Sequence, residues 1–263
     1  MKYLVTLLVI VLTALSCKEK QTETATIISE EKEVTIAPTD KQLPFKVHPV
    51  SHATMVLEWD GTTIYVDPVG GAEVFAKYPL PDLILVTDIH GDHLNVATIE
   101  GLDTSKAKIM VPQAVADKMP EDFVPQLDVL NNGDSKERFG FSVEAIPMYN
   151  LREEALKFHT KGRGNGYVIE KDDTRVYISG DTEDIPEMKA LKNIDAAFVC
   201  MNLPYTMTEV SAANAVLEFA PNTVYPYHYR GTEGFSNVAK FKAIVNKGNP
   251  DINVIQLDWY PKK

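Results

Sequence analysis

The chain has 263 residues, with 37 acidic side chains against 26 basic ones, and its formal charge of −11 argues against broad nucleic-acid binding, which needs a basic surface. At 44% hydrophobic residues it can bury a full core, and the stretch beyond residue 42 has a length common among single sandwich-type domains. Its two cysteines, Cys17 and Cys200, allow no internal disulfide once Cys17 is taken up by the leader.

The first element is that leader. After Met1-Lys2, residues Leu4 to Leu15 form an almost unbroken apolar run, too short to span a bilayer and shaped like a secretory signal peptide. Leu15-Ser16-Cys17 resembles a bacterial lipoprotein processing site, with Cys17 as the lipidated first residue, although Ala14 stands where Leu is usual. An ordinary signal with a chance cysteine, or an uncleaved anchor, fits the same residues. The following segment, rich in Lys, Glu and Thr, reads as a flexible tether. The expected organisation is therefore a leader at 1–17, a tether at 18–42 and a folded domain at 43–263. The expected location is the cell envelope, on a lipid anchor, facing the periplasm or on the outer-membrane surface.

Strands are predicted at 46–50, 53–59 and 62–66, with Asp60-Gly61 as a hairpin turn, His52 just before the second strand and Asp67-Pro68 ending the third. Asp82 to Val86 is an apolar run that leads into Thr87-Asp88-Ile89-His90-Gly91-Asp92-His93. Asp88, His90, Asp92 and His93 crowd carboxylates and imidazoles at one strand end. Such groups are costly to bury without a cation, and their N and O donors suit zinc, iron or manganese. A helix at 94–99, a strand at 108–111, a short helix at 113–118, a turn at 131–134 and a strand at 141–146 follow. Lys161-Gly162-Arg163-Gly164-Asn165-Gly166 reads either as a cationic loop that receives an anion or as a tight connection into the next strand. Two hairpin strands flank Asp172-Asp173, and the second runs into Gly180-Asp181-Thr182, where glycine lets the backbone turn tightly. Cys200, in an apolar strand, reads as a packed small hydrophobe. Thr208 is the predicted cap of a helix over 209–219 and Ser236 of a helix over 237–246. Strands are predicted at 223–227, ending at His228, and at 252–257. Singly, His52, Asp67, Asp181 and His228 are each more often structural; their shared place at strand ends points to convergence.

From Phe45 to Tyr260 the chain resembles the metallo-β-lactamase fold hydrolases, in particular the branch that includes ascorbate-6-phosphate lactonase. The family's His-x-His-x-Asp-His signature falls on Asp88, His90, Asp92 and His93, its Gly-Asp-Thr on Gly180-Asp181-Thr182, and its last histidine ligand on His228. Ser51-His52-Ala53-Thr54, Asp67-Pro68, Ile185 to Lys189 and Tyr205 to Thr208 match as well. The resemblance implies an α/β fold, a four-layer αββα sandwich, holding one or two divalent metal ions, zinc first, with iron or manganese as alternatives. Asp92, His93, Asp181 and His228 would hold the second ion, with Asp181 as the bridge. His90 and Asp181, with Asp88 and His159, would hold the first. Two departures stand out. Asp88 replaces the family's first histidine, as a direct ligand or as a hydrogen-bonding partner of His90. Asn150 ends the strand where a middle histidine is expected, which leaves His159, a short loop further on, as the candidate.

The implied activity is a metal-dependent hydrolysis of a small lactone, ester or phosphoester, an anionic substrate included, with Asp92 and Asp181 acting at the reacting centre. His52, Tyr205 and Tyr227 would support ligands or substrate by hydrogen bonds. Two other readings stay open, a non-catalytic metal-binding envelope lipoprotein and a lipid or nucleotide phosphodiesterase. The membrane, reached through the lipid anchor, is the expected partner besides substrate, and the oligomeric state is not readable.

Overall fold

Near-continuous apolar runs such as Leu83–Leu85 and Ala196–Cys200 build strands that are buried on both faces. In the computed structural model, which describes residues 43–261, β1 (Phe45–Ser51), β2 (Thr54–Trp59) and β3 (Thr62–Val66) run antiparallel. Then β4 (Leu83–Leu85), β5 (Lys108–Val111) and β6 (Leu127–Val129) continue the same sheet in parallel, in the order β1-β2-β3-β4-β5-β6. The second sheet begins with an antiparallel meander of β7 (Ser135–Arg138), β8 (Phe141–Met148), β9 (Gly164–Lys171) and β10 (Thr174–Ile178). It passes to parallel β11 (Ala196–Cys200) and β12 (Thr223–Tyr227). After a small ribbon, β13 (Arg230–Gly231) and β14 (Gly234–Phe235), β15 (Asn253–Val254) closes its far edge. The leader, the lipidation candidate Cys17 and the tether lie outside the described residues.

The two sheets pack face to face. Met55, Leu57, Trp59, Ile64 and Leu85 of the first sheet share a core with Phe141, Val143, Tyr167, Ile169 and Ile178 of the second. Trp59 meets Phe141 edge-on with centroids 5.0 Å apart, and the Tyr167 hydroxyl donates to the Val86 carbonyl at 2.9 Å. Each such buried apolar side chain contributes about 1.5–3 kcal/mol. On the outer face of the first sheet, Val56, Tyr65, Ile84 and Ile109 meet α1 (Val96–Gly101) and α2 (Gln113–Ala116) through Ile99 and Val115. The second sheet is covered by α3 (Pro186–Lys189), α4 (Glu209–Phe219) and α5 (Val238–Gly248), with Tyr177 against Phe219. The result is the expected αββα sandwich.

Several boundaries differ from expectation. Thr208 caps α4 as predicted, accepting from the Ser211 amide at 3.0 Å. For α5 the cap is Asn237, which accepts from the Lys240 amide at 2.9 Å, because the Ser236 hydroxyl is drawn to the Met201 carbonyl. The last strand keeps only the two residues that pair with Thr223 and Val224. Cys200 is buried and its thiol is pushed up to about 12 by burial, as suits a packed side chain. Among the described residues no helix is long and apolar enough to cross a membrane.

Candidate metal centre

The parallel strands of both sheets end at one edge of the sandwich, and their following loops carry the polar residues inward. Asp67 follows β3, Asp88 to His93 follow β4, Asp181 follows β10 and His228 follows β12. His52, Asp67 and His228 adopt left-handed backbone conformations, with φ of 57°, 46° and 46°. For residues other than glycine this costs about 1–3 kcal/mol each and persists where the surroundings impose it, commonly at functional sites. Gly180, with φ of 60°, passes so close to Met148 that a Cβ would lie 2.5 Å from the sulfur; this approach delivers Asp181 to the edge.

His93, Asp181 and His228 gather in one cluster, and Asp92 joins it through His228. His93 Nε2 lies 3.2 Å from His228 Nε2 and 3.4 Å from Asp181 Oδ2. His228 Nε2 lies 3.1 Å from Asp181 Oδ1 and 3.5 Å from Asp92 Oδ2, and Asp92 Oδ1 is 3.9 Å from His93 Nε2. Ligands that share one tetrahedral ion at about 2.1 Å stand about 3.4 Å apart, so this spacing fits a common cation. The buried Asp181 Oδ1 accepts no hydrogen bond, a state costly for a carboxylate unless a cation balances it. Burial pushes the Asp181 carboxyl up, but the imidazoles of His228 and His93 and a hydrogen bond with His159 outweigh it and hold it well below the usual range. Burial likewise pushes His93 down, and the Asp181 and Asp67 carboxylates more than reverse that.

Asp67 orients His93. Its Oδ2 lies 2.8 Å from His93 Nδ1, and the Thr87 amide and hydroxyl donate to its two oxygens, both at 2.7 Å. With Nδ1 donating to the carboxylate, Nε2 presents its lone pair to the cluster. Sequence reading noted Asp67 at a strand end and assigned it no role. His52 stands on the outer side, with Nε2 3.3 Å from Asp92 Oδ2, Nδ1 2.7 Å from the Tyr260 hydroxyl, and its ring centroid 3.9 Å from that of His228. Tyr260, near the end of the chain, carried no sequence signal.

The other half of the centre joins Asp88, His90 and His159. His159 is 1% exposed, with Nε2 3.2 Å from Asp181 Oδ2 and 3.9 Å from Asp88 Oδ2, and Nδ1 3.3 Å from Asn150 Oδ1. Asp88, expected as a direct ligand or as a hydrogen-bonding partner of His90, lies beside His90 and is held by a guanidinium as well. Arg163 Nε reaches its Oδ1 at 3.1 Å and Nη2 reaches Oδ2 at 2.9 Å, while His90 Nδ1 lies 2.8 Å from the same Oδ2. The anion-loop reading of residues 161–166 is thereby corrected. Arg163 is engaged by Asp88, and Lys161 is paired with Glu187 at 2.6 Å. The glycines allow close packing: a Cβ on Gly164 would sit 2.9 Å from the Thr87 carbonyl oxygen, and one on Gly166 2.9 Å from those of Ile178 and Ser179. The signal that could have found Arg163 is topological. It precedes β9, which is antiparallel to β8 and β10 and so begins at the edge where they end.

A cavity of about 270 Å³ opens over the cluster, lined by His90, Asp92, Phe158, His159, Asp181, Asn202 and Tyr205. Tyr205 stands at this opening and accepts a hydrogen bond from the Thr232 hydroxyl at 2.9 Å. Tyr227, expected to support a ligand, instead faces the inter-sheet core between Phe198 and Trp259, and its hydroxyl reaches no residue of the cluster. It pairs with Cys200, two positions on from the Phe198–Tyr225 pair, and so shares their inward face.

A model of the β-lactamase superfamily domain matches residues 46–228, a span that contains every strand end just described. The chain belongs to the β-lactamase superfamily. Within it, a UPF0173 metal-dependent hydrolase of Methanopyrus kandleri is 28% identical over 219 residues, covering 80% of this chain and 95% of the relative. A UPF0173 metal-dependent hydrolase of Pyrococcus abyssi is 30% identical over 193 residues, covering 70% of this chain and 84% of the relative. A crystal structure from Parabacteroides distasonis, described as a metal-dependent hydrolase, superposes with a TM-score of 0.73 at 36% identity, covering 82% of this chain and 94% of that one. The superfamily fold and the strand-end cluster thus coincide along one stretch of sequence.

Proposed function

We infer that the protein is a metal-dependent hydrolase that opens a small lactone or ester. The observation that carries the reading is the buried Asp181 carboxylate, set among His93, His159 and His228 with one oxygen free of hydrogen bonds. The hydrolase relatives support the reaction class. A divalent cation at Asp92, His93, Asp181 and His228 would supply Lewis acidity, acidifying water and polarising the oxygen under attack. Zinc suits this nitrogen-rich set, with iron or manganese as the alternatives its carboxylates allow.

The protein's own groups do the rest. Asp67 fixes the His93 ring, and His52, itself held by Tyr260, fixes Asp92 Oδ2 at the cavity floor, where it is placed to accept the proton released on attack. Because Tyr205 Oη accepts from Thr232, its own proton is free to donate to substrate. The cavity lies just below the about 300–1,000 Å³ common for ligand sites, which suits a small substrate. Its lining has two carboxylates and no lysine or arginine, which favours a neutral lactone or ester over a phosphoester.

The test strips the full-length protein with a chelator, reloads it with zinc and offers lactones, carboxylic esters and phosphodiesters. Metal-restored turnover of a lactone or ester is expected. Turnover confined to phosphodiesters would replace the substrate class, and a reloaded protein inert on all three would overturn the hydrolase reading. We further propose that Cys17 carries the lipid that holds the domain at a membrane of the cell envelope. Cys17→Ser should abolish fatty-acid labelling and move the protein out of the membrane fraction, and continued labelling would refute this.

A further inference from the structure

We propose that Arg163, paired with Asp88, stands in for a first metal ion, so that this protein holds a single cation, at Asp92, His93, Asp181 and His228. The inference rests on the metal-dependent reading above and adds its stoichiometry. It begins with how the donors are used. Both oxygens of Asp88 accept from the Arg163 guanidinium, at 3.1 and 2.9 Å, in the two-pronged geometry that makes such pairs strong. Oδ2 also lies 2.8 Å from His90 Nδ1, a hydrogen-bond distance and well short of the about 3.4 Å expected between two ligands of one tetrahedral ion. With Nδ1 donating, the remaining lone pair of His90, on Nε2, lies 3.4 Å from Arg163 Nη2, whose two hydrogens already serve Asp88 Oδ2 and the Phe158 carbonyl. Both Asp88 oxygens and His90 Nδ1 are therefore partnered inside the chain, unlike Asp181 Oδ1 and the buried His228 Nδ1, which accept or donate no hydrogen bond.

What is left for a first ion is His159 Nε2 and the shared Asp181 Oδ2, 3.2 Å apart, with His90 Nε2 lying against the guanidinium. Without Asp88 that set has two imidazoles and one shared oxygen, the minimum for such an ion, and one of the imidazoles faces a fixed cation. A cation drawn to His90 Nε2 would stand close to the Arg163 guanidinium, and two positive groups at that range repel. The two departures explain each other. An imidazole at position 88 would leave Arg163, only 20% exposed, without a counter-charge, and a carboxylate at 88 without Arg163 would be a buried charge with only the His90 imidazole beside it. A permanent guanidinium thus supplies the positive charge on this side, and it can be neither chelated nor exchanged.

The test counts metal on the full-length protein, stripped and then titrated with Co²⁺ or Zn²⁺, by elemental analysis after dialysis and by the Co²⁺ absorption spectrum. A plateau at one equivalent per chain is expected, and a plateau at two overturns the proposal. The double variant Asp88→His with Arg163→Ala, checked for folding by circular dichroism, should take up a second equivalent; staying at one overturns it as well. If that variant does not fold, Arg163→Gln, which keeps a hydrogen-bond donor without the charge, takes its place with the same two outcomes. Metal counting does not depend on turnover. A one-equivalent protein inert on every substrate would overturn the hydrolase reading alone, and an active protein with two equivalents would overturn this inference alone.

Discussion

On one side of Asp181, the His93, His228 and Asp92 donors point at a common centre, and Asp181 Oδ1 is left with no hydrogen bond. On the other side, a few ångströms away, Asp88 is equally buried, but both its oxygens are held by Arg163 and His90. Both halves concentrate carboxylate in a dry setting, where charge must be balanced. One half leaves the balance to an ion from solution, and the other writes it into the chain. A metallohydrolase fold therefore need not keep both halves of its centre equivalent: a single arginine at a neighbouring strand's start can convert one of them into an internal ion pair.

The largest test of this contrast falls on the open half. His228→Ala should lose metal and reduce hydrolysis to the level of the stripped protein, read by elemental analysis and turnover. A fully active His228→Ala protein would break the comparison. The closed half should respond through stability first. Arg163→Ala leaves the buried Asp88 charge with only His90 beside it and should cost about 3–5 kcal/mol in chemical denaturation. Asp88→Asn combined with Arg163→Met should recover most of that, and an unchanged midpoint in the single variant would show the pair to be incidental. A smaller effect is expected one step behind the open half. Asp67→Asn, which removes the charge that orients His93, should weaken metal affinity about 10–100-fold in a chelator competition assay. Affinity within twofold of the parent would place the control of His93 elsewhere. The smallest effect belongs to Tyr260→Phe, which removes the hydrogen bond to His52 Nδ1 at 2.7 Å. It should lose about 0.5–1.5 kcal/mol of support, seen as a few-fold fall in kcat/KM with metal content unchanged. A loss of metal in that variant would mean that His52 and Asp92 depend on Tyr260 far more than one hydrogen bond implies.

The strands, the cap at Thr208 and the crowded residues 88–93 were legible in the sequence because each is a short-range pattern. A short apolar run reports a buried strand, and a hydroxyl before a helix reports its first turn, whatever the rest of the chain does. The Ser236 expectation shows the limit of that rule. Two residues could each cap α5, and a carbonyl from a distant strand end claimed the serine, leaving Asn237 to do it. His159 lay on the same boundary: a loop histidine in sequence, buried against Asp181 only because β8 ends at the shared edge.

By itself, the sequence determined which residues form strands and that histidine and aspartate gather at their ends, since periodicity and composition are written residue by residue. Only the tertiary structure decided which of those ends meet. Asp67 reaches His93 across 26 positions, Arg163 reaches Asp88 across 75, and His228 reaches His93 across 135. Such pairings depend on strand order and direction. The start of antiparallel β9 lies beside the ends of β8 and β10, so a loop arginine that looked available to an outside anion is instead drawn in to neutralise a carboxylate of its own chain.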